Sequence, residues 1–171
     1  AGLVATTVQN LYALLIGRNF GAADVGYFTQ SHNLTNTLSS LISSVFQGVT
    51  YPIMTSVNDD IPRLVSIYER LIQLTVVITI PFFFGFASIS NEFVNVFLGE
   101  SWKPIAPLIM ILSFARMITP LSSINLNILN AVGRSDLFLK VDLSKLPMTL
   151  LAIFVSVPFG IEAVAWAMLA T

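Results

Sequence analysis

The chain has 171 residues, of which 55% are hydrophobic and only 10% charged, with a formal net charge of -1. An ordinary soluble domain carries about 25% charged residues, so this composition excludes a disordered chain and leaves a soluble globule too little charge to cover its surface. Eight Lys plus Arg against nine Asp plus Glu give no cationic surplus for nucleic acid, and the absence of cysteine excludes disulfide scaffolds, thiolate metal sites and thiol catalysis.

What remains is an integral membrane protein: an all-α, polytopic transmembrane helix bundle. A helix needs about 20 apolar residues to cross the hydrocarbon core. Stretches free of Asp, Glu, Lys and Arg run from Ala1 to Gly17, Val25 to Asn58, Leu71 to Asn91, Leu146 to Ile161 and Ala163 to Thr171, and Pro104 to Gly133 is interrupted only by Arg116. They predict spans near residues 1–17 (partial), 27–51, 68–90, 104–131, 139–158 and 161–171 (partial). Residue 1 is not Met and the last span is half a crossing long, so the expectation is a piece of a longer chain of twelve or more helices.

The span at 27–51 is unusually polar. Between Thr29 and Thr50 it holds fourteen polar residues, among them Gln30, His32, Asn33, Thr37, Ser40 and Ser44. Its apolar residues Leu34, Leu38, Leu41, Ile42, Val45, Phe46 and Val49 recur at helical spacing along one stripe. In hydrocarbon the polar side must face other helices or water. Ser and Thr serve as interhelical contacts elsewhere, but their number here favours the lining of a cavity. His32 is expected near one membrane interface, either as a hydrogen-bonded structural residue or as a substrate contact or proton-linked switch. No clustering of His and acids suggests a metal site.

In the span at 68–90, Pro81 is a candidate hinge. In the span at 104–131, Ser113, Arg116, Pro120, Ser123, Asn127 and Asn130 follow one another at steps of three or four, which places them on one helix face. Arg116 lies about halfway along. An Arg there costs at least about 2.5–3.5 kcal/mol, so it should face the bundle interior or an aqueous cavity. No acid in the sequence lies at the same depth. Its partner is therefore expected outside this chain, or is a bound anion whose geometry a guanidinium fork matches. The other reading is a structural Arg bonded to carbonyls beside a Pro120 kink, and Pro120 is the second candidate hinge. Proline is tolerated inside membrane helices when neighbouring Ser and Thr re-satisfy the freed carbonyl.

The connections sort by charge. Those near residues 59–70 and 134–145 together hold five Lys and Arg, whereas those near 18–24, 92–103 and 162 hold two. The excess of positive charge on cytoplasmic loops places the first group in the cytoplasm. Trp102 and Tyr51 fit interfacial aromatic positions. No mid-membrane carboxylate pair, nucleophile–His pair, Gly-rich phosphate loop or zinc motif is present, so nothing in the sequence supports catalysis.

Four stretches carry a family resemblance: Gly21 to Phe28 (GAADVGYF), Tyr51 to Asp60 (YPIMTSVNDD) with Tyr68 beyond it, Phe97 to Trp102 (FLGESW), and Asn125 to Lys140 (NLNILNAVGRSDLFLK). Together they resemble bacterial polysaccharide and O-antigen flippases of the colanic-acid-exporter-like branch, within the multidrug/oligosaccharidyl-lipid/polysaccharide exporter superfamily. The resemblance implies two lobes of six helices around a central cavity, with this chain in the carboxy-terminal lobe. It also implies movement of undecaprenyl-diphosphate-linked oligosaccharide across the bacterial inner membrane, by a multi-pass protein that uses no cofactor. Implied partners are the lipid-linked oligosaccharide, membrane lipids and other polysaccharide-assembly proteins, without nucleic acid. In that frame the hydroxyls and amides would meet sugar and Arg116 the diphosphate, although a small residue is the family expectation at that position. Competing readings are a multidrug or small-molecule antiporter of the same superfamily, a membrane-embedded glycan polymerase or ligase, and a structural membrane subunit. The short outward loops argue against the polymerase.

Overall fold

The computed structural model describes residues 14–57 and 60–170. Every regular element among them is helical. Residues 14–19 form α1; residues 1–13, with most of the expected span 1–17, lie outside the described residues. α2 is Ala22–Ser56 and α3 is Ile61–Ser88. A short α4, Ser90–Phe93, passes into a π-helical turn at Val94–Leu98 and a 3-10 segment at Glu100–Ile105. α5 is Ala106–Arg116, α6 is Thr119–Ala131, and α7 is Ser135–Ser156. A 3-10 turn at Val157–Phe159 leads to α8, Ile161–Ala170.

The helices outrun the apolar stretches that predicted them. α3 starts seven residues before the expected span, and its first ten residues include Arg63, Glu69 and Arg70. α7 likewise takes in Asp136 and Lys140. Lys, Arg and Glu are good helix formers, so the charge boundary marks depth in the bilayer rather than the helix end. Local signals set the true ends. The Asp60 side chain accepts a hydrogen bond from the Arg63 backbone N–H at 3.1 Å and caps α3, with Pro62 in the first turn. At 35 residues, α2 is roughly 52 Å long and overshoots a ~30 Å hydrocarbon core. Residues 61–88 and 100–131 are each long and apolar enough to cross it.

The expected single helix at 104–131 is two helices. Residues 117 and 118 separate α5 from α6, and Pro120 sits in the first turn of α6. Proline has no N–H for the carbonyl four residues back, which ends the ladder there. Pro81, the other candidate hinge, lies within an unbroken α3.

Packing sorts the connections into two ends. At one end Val94, Ile105, Ala106 and Ile109 pack with Tyr27, Leu34 and Trp102, and nearby Ile16 and Phe28 pack with Ile153, Val157 and Val164. At the other end Met54, Leu64 and Ile124 pack with Tyr68, Ile128 and Ala131. The α5–α6 pair runs through the middle, against α2 and α3, with α8 on α5 through Leu108, Ile111, Leu112 and Ala165. Many large apolar side chains face outward along the helices, including Val77, Leu151 and Phe154, as expected where the surroundings are lipid.

Candidate functional site

α2 is divided lengthwise into three sectors, because successive residues turn by about 100°. The first is buried and mostly polar: Phe28, Ser31, His32, Thr35, Ser39, Ser43, Thr50 and Met54. It faces α5 and α6. Ser31, Thr35, Ser39 and Ser43 follow at steps of four, and their small side chains let the backbones approach closely. The second sector is apolar and exposed, through Leu41, Val45 and Val49. The third is polar and uncovered, through Asn33, Thr37, Ser40, Ser44 and Gln47.

The polar residues of this helix thus do two jobs. The buried row is interhelical contact, and sequence reasoning did not single out Ser31, Thr35, Ser39, Ser43 or Thr50. The four-residue spacing of Ser31, Thr35, Ser39 and Ser43 was the available signal. The open row contains the predicted Asn33, Thr37, Ser40 and Ser44. Its hydroxyls bond back to their own helix: Thr37 to the Asn33 carbonyl at 2.8 Å, Ser40 to Thr37 at 2.9 Å and Ser44 to Leu41 at 2.8 Å. Each hydroxyl oxygen keeps acceptor capacity toward whatever lies beside the helix.

Gln30, Asn33 and Thr37 line a cavity of about 370 Å³ together with Leu34, Leu38, Phe86 and Phe93. The predicted amides and hydroxyl therefore form one wall of a space whose surface is mainly carbon. It lies between α2 and the junction of α3 with α4.

The second polar stripe is distributed differently from the expected cavity wall. Ser113 is buried and donates to the Ile109 carbonyl at 2.6 Å, and Ser123 donates to Thr119 at 3.1 Å. Asn127 is buried and its Nδ2 donates to Thr50 Oγ1 at 2.7 Å. Asn130 is exposed near the end of α6. Ser113 and Asn127 thus sit between helices rather than on an open surface, because this face of α5–α6 packs on the hydroxyl row of α2.

Arg116 is half-buried at the last position of α5. Its Nη2 hydrogen-bonds to His32 Nε2. A guanidinium has only donors, so the ring nitrogen accepts. This contact gives the guanidinium a ring acceptor on α2, 84 residues away in sequence, and supplies no negative charge to stand in for the expected anion or outside partner. His32 is ten residues into α2, roughly 15 Å from the helix start, 6% exposed and stacked on Phe28.

The backbone of Arg116 is also held. Its carbonyl, which Pro120 cannot serve, accepts from Ser39 Oγ at 3.2 Å. Ser39–Arg116 and Thr50–Asn127 share the same sequence offset of 77. α2 and the broken α5–α6 pair therefore run side by side in constant register for about three turns, straight across the break.

A family model described as "Polysaccharide biosynthesis protein" matches residues 1–107. The match covers α2 and its open face and stops before Arg116. The teichuronic acid biosynthesis protein TuaB of Bacillus subtilis is 25% identical over 165 residues, 96% of this chain and 34% of that protein. The lipopolysaccharide biosynthesis protein WzxC of Escherichia coli is 24% identical over 136 residues, 80% of this chain and 28% of that protein. An uncharacterized membrane protein in the cps region of Klebsiella pneumoniae is 30% identical over 101 residues, 59% of this chain and 21% of that protein. The chain spans about a third or less of the length of these relatives. No solved structure matches it significantly.

Proposed function

The chain belongs to the polysaccharide biosynthesis protein family, and on that premise we propose that the full protein is a flippase for lipid-linked oligosaccharides in surface polysaccharide biosynthesis. It is a membrane protein with helices long and apolar enough to cross the bilayer. In the proposed role it spans the bacterial inner membrane several times and moves its substrate without covalent change, so it is not an enzyme. The substrate is an oligosaccharide on undecaprenyl diphosphate. The lobe containing α1–α8 rocks against a second lobe around the substrate.

The observation that carries this reading is the open polar sector of α2. It presents uncharged amides and hydroxyls from Gln30 to Gln47, over roughly 25 Å of helix. Such a face is costly against lipid and suited to sugar, whose hydroxyls need partners of both kinds. It holds no carboxylate of the sort an ion-coupled drug antiporter uses for its cation. Arg116 supplies the positive charge for the diphosphate.

Reconstitution of the full-length protein into vesicles with a labelled oligosaccharide on a prenyl diphosphate tests the reading. Protein-dependent movement of label between leaflets is the expected result. No movement, together with transport of small cations or drugs by the same preparation, would place it among the antiporters.

A further inference from the structure

We propose that His32 and Ser39 are positioning residues for Arg116, which α2 grips at both its side chain and its carbonyl so that the guanidinium is held in one orientation. This rests on the reading of Arg116 as the contact to the diphosphate. The two residues lie seven apart on α2, on one face and two turns along. His32 receives the guanidinium. Ser39 donates to the carbonyl of the same residue.

Three features argue that the grip is built for Arg116. Neighbouring hydroxyls of the buried row bond within α2: Ser31 to the Tyr27 carbonyl at 2.7 Å and Thr35 to the Ser31 carbonyl at 2.9 Å. Ser39 instead crosses to α5. The carbonyl it reaches is available because residue 120 is proline, so the helix break and the serine are complementary. Finally, an imidazole acceptor fixes the plane of a guanidinium without cancelling its charge, whereas a carboxylate in the same place would form an ion pair and compete with an incoming phosphate. Phe28, stacked on the His32 ring at 6.2 Å, holds that ring in turn.

The test uses the full-length protein in vesicles and two pairs of variants. Ser39→Ala removes the donor and Ser39→Thr keeps it; His32→Leu removes the acceptor and His32→Gln supplies an amide oxygen in its place. His32→Leu is expected to raise the half-saturating density of the lipid-diphosphate oligosaccharide by about tenfold, the scale of one hydrogen bond to a charged group, and Ser39→Ala by about fivefold, the scale of one between neutral groups. Ser39→Thr and His32→Gln are expected to stay within about twofold of the natural protein, since each keeps the bond. Equal behaviour within each pair, or a change in maximal rate with half-saturation untouched, overturns the proposal. Should the natural protein move no lipid, the flippase reading fails and the same variants are scored by calorimetric titration with inorganic pyrophosphate. Binding weakened only in the disrupting member of each pair supports positioning; no binding to the natural protein, or equal binding by all, overturns it. If His32→Leu does not fold, the Ser39 pair decides.

Discussion

The Tyr68 hydroxyl donates to Asn125 Oδ1 at 2.7 Å, tying the early turns of α3 to α6 across 57 residues of sequence. At the opposite end of the bundle the Tyr27 hydroxyl reaches the Ser101 carbonyl at 3.5 Å, and the Tyr27 ring meets Trp102 edge-on at 5.9 Å. The four stretches that carry the family resemblance therefore form two contact pairs, one at each end. Their tyrosines clasp helix ends at the levels where amphipathic aromatics are favoured. A double-mutant cycle on Tyr68→Phe and Asn125→Leu, followed by denaturant unfolding in detergent, should give a coupling of about 0.6 kcal/mol and not above ~1.7. Strict additivity would show that the bond does not form in the folded protein.

Gly133 explains another part of the same motif. It has φ +73°, and the Arg134 N–H bonds the Leu129 carbonyl at 2.7 Å while the Gly133 N–H bonds Asn130 at 3.1 Å. This pair of bonds closes α6 in the Schellman arrangement, whose turning residue must be left-handed. A Cβ at Gly133 would meet no atom within 4 Å, so the cost of substitution is conformational alone. Gly133→Ala should destabilise by about 1–2 kcal/mol and Gly133→Asn by less. Equal losses for the two would point to a different cause.

The fold class was legible because composition and the spacing of charges report burial in lipid directly. The break in the span at 104–131 was half legible: Pro120 marks it, but the residue that answers the freed carbonyl, Ser39, is 77 positions away. The partition of α2 was legible only as a row of small residues at steps of four, Ser31 to Ser43, without sign of which row is covered. A period of 3.6 identifies a polar side, but it does not tell whether Ser39 or Ser40 turns toward a neighbour, since adjacent residues differ by about 100°. For the same reason the contact between Arg116 and His32 does not show in the sequence. His32 is uncharged, so a search for opposite charge passes over it.

Pro120→Ala would restore an N–H that can bond the Arg116 carbonyl and join α5 to α6. Proline within a helix costs about 3 kcal/mol, but Ser39 already satisfies the carbonyl, so only part of that is recoverable. A raised melting temperature is expected, with slower lipid movement because the guanidinium is carried on a straightened helix. Faster unfolding would show instead that the break relieves strain in the packed bundle.

Thr79 Oγ1 and Ser43 Oγ are buried without a hydrogen-bond partner among the described residues. An unsatisfied hydroxyl costs about 1–3 kcal/mol when buried. Thr79→Val keeps the shape and removes the hydroxyl, so stability should be unchanged or higher in detergent unfolding. A loss above about 1 kcal/mol would reveal a bonded hydroxyl.

The two polar sectors of α2 should respond oppositely to the same chemistry. On the buried side, Thr50→Val takes the acceptor from Asn127 Nδ2 and leaves a buried amide short of a bond, at a cost of about 1–3 kcal/mol. On the open side, Thr37→Val and Ser44→Ala lose only a bond to their own helix, and Gln47→Leu replaces an exposed amide. If this face bordered lipid, the three changes would together stabilise the protein and leave transport alone, because apolar groups are favoured there. If it borders a path for sugar, they should preserve or raise the melting temperature while lowering lipid-oligosaccharide movement. The second outcome is expected. The measurement is initial flipping rate per folded protein, compared with Thr50→Val, whose loss should follow the folded fraction. Normal rates in the triple variant would remove the open sector from the substrate path.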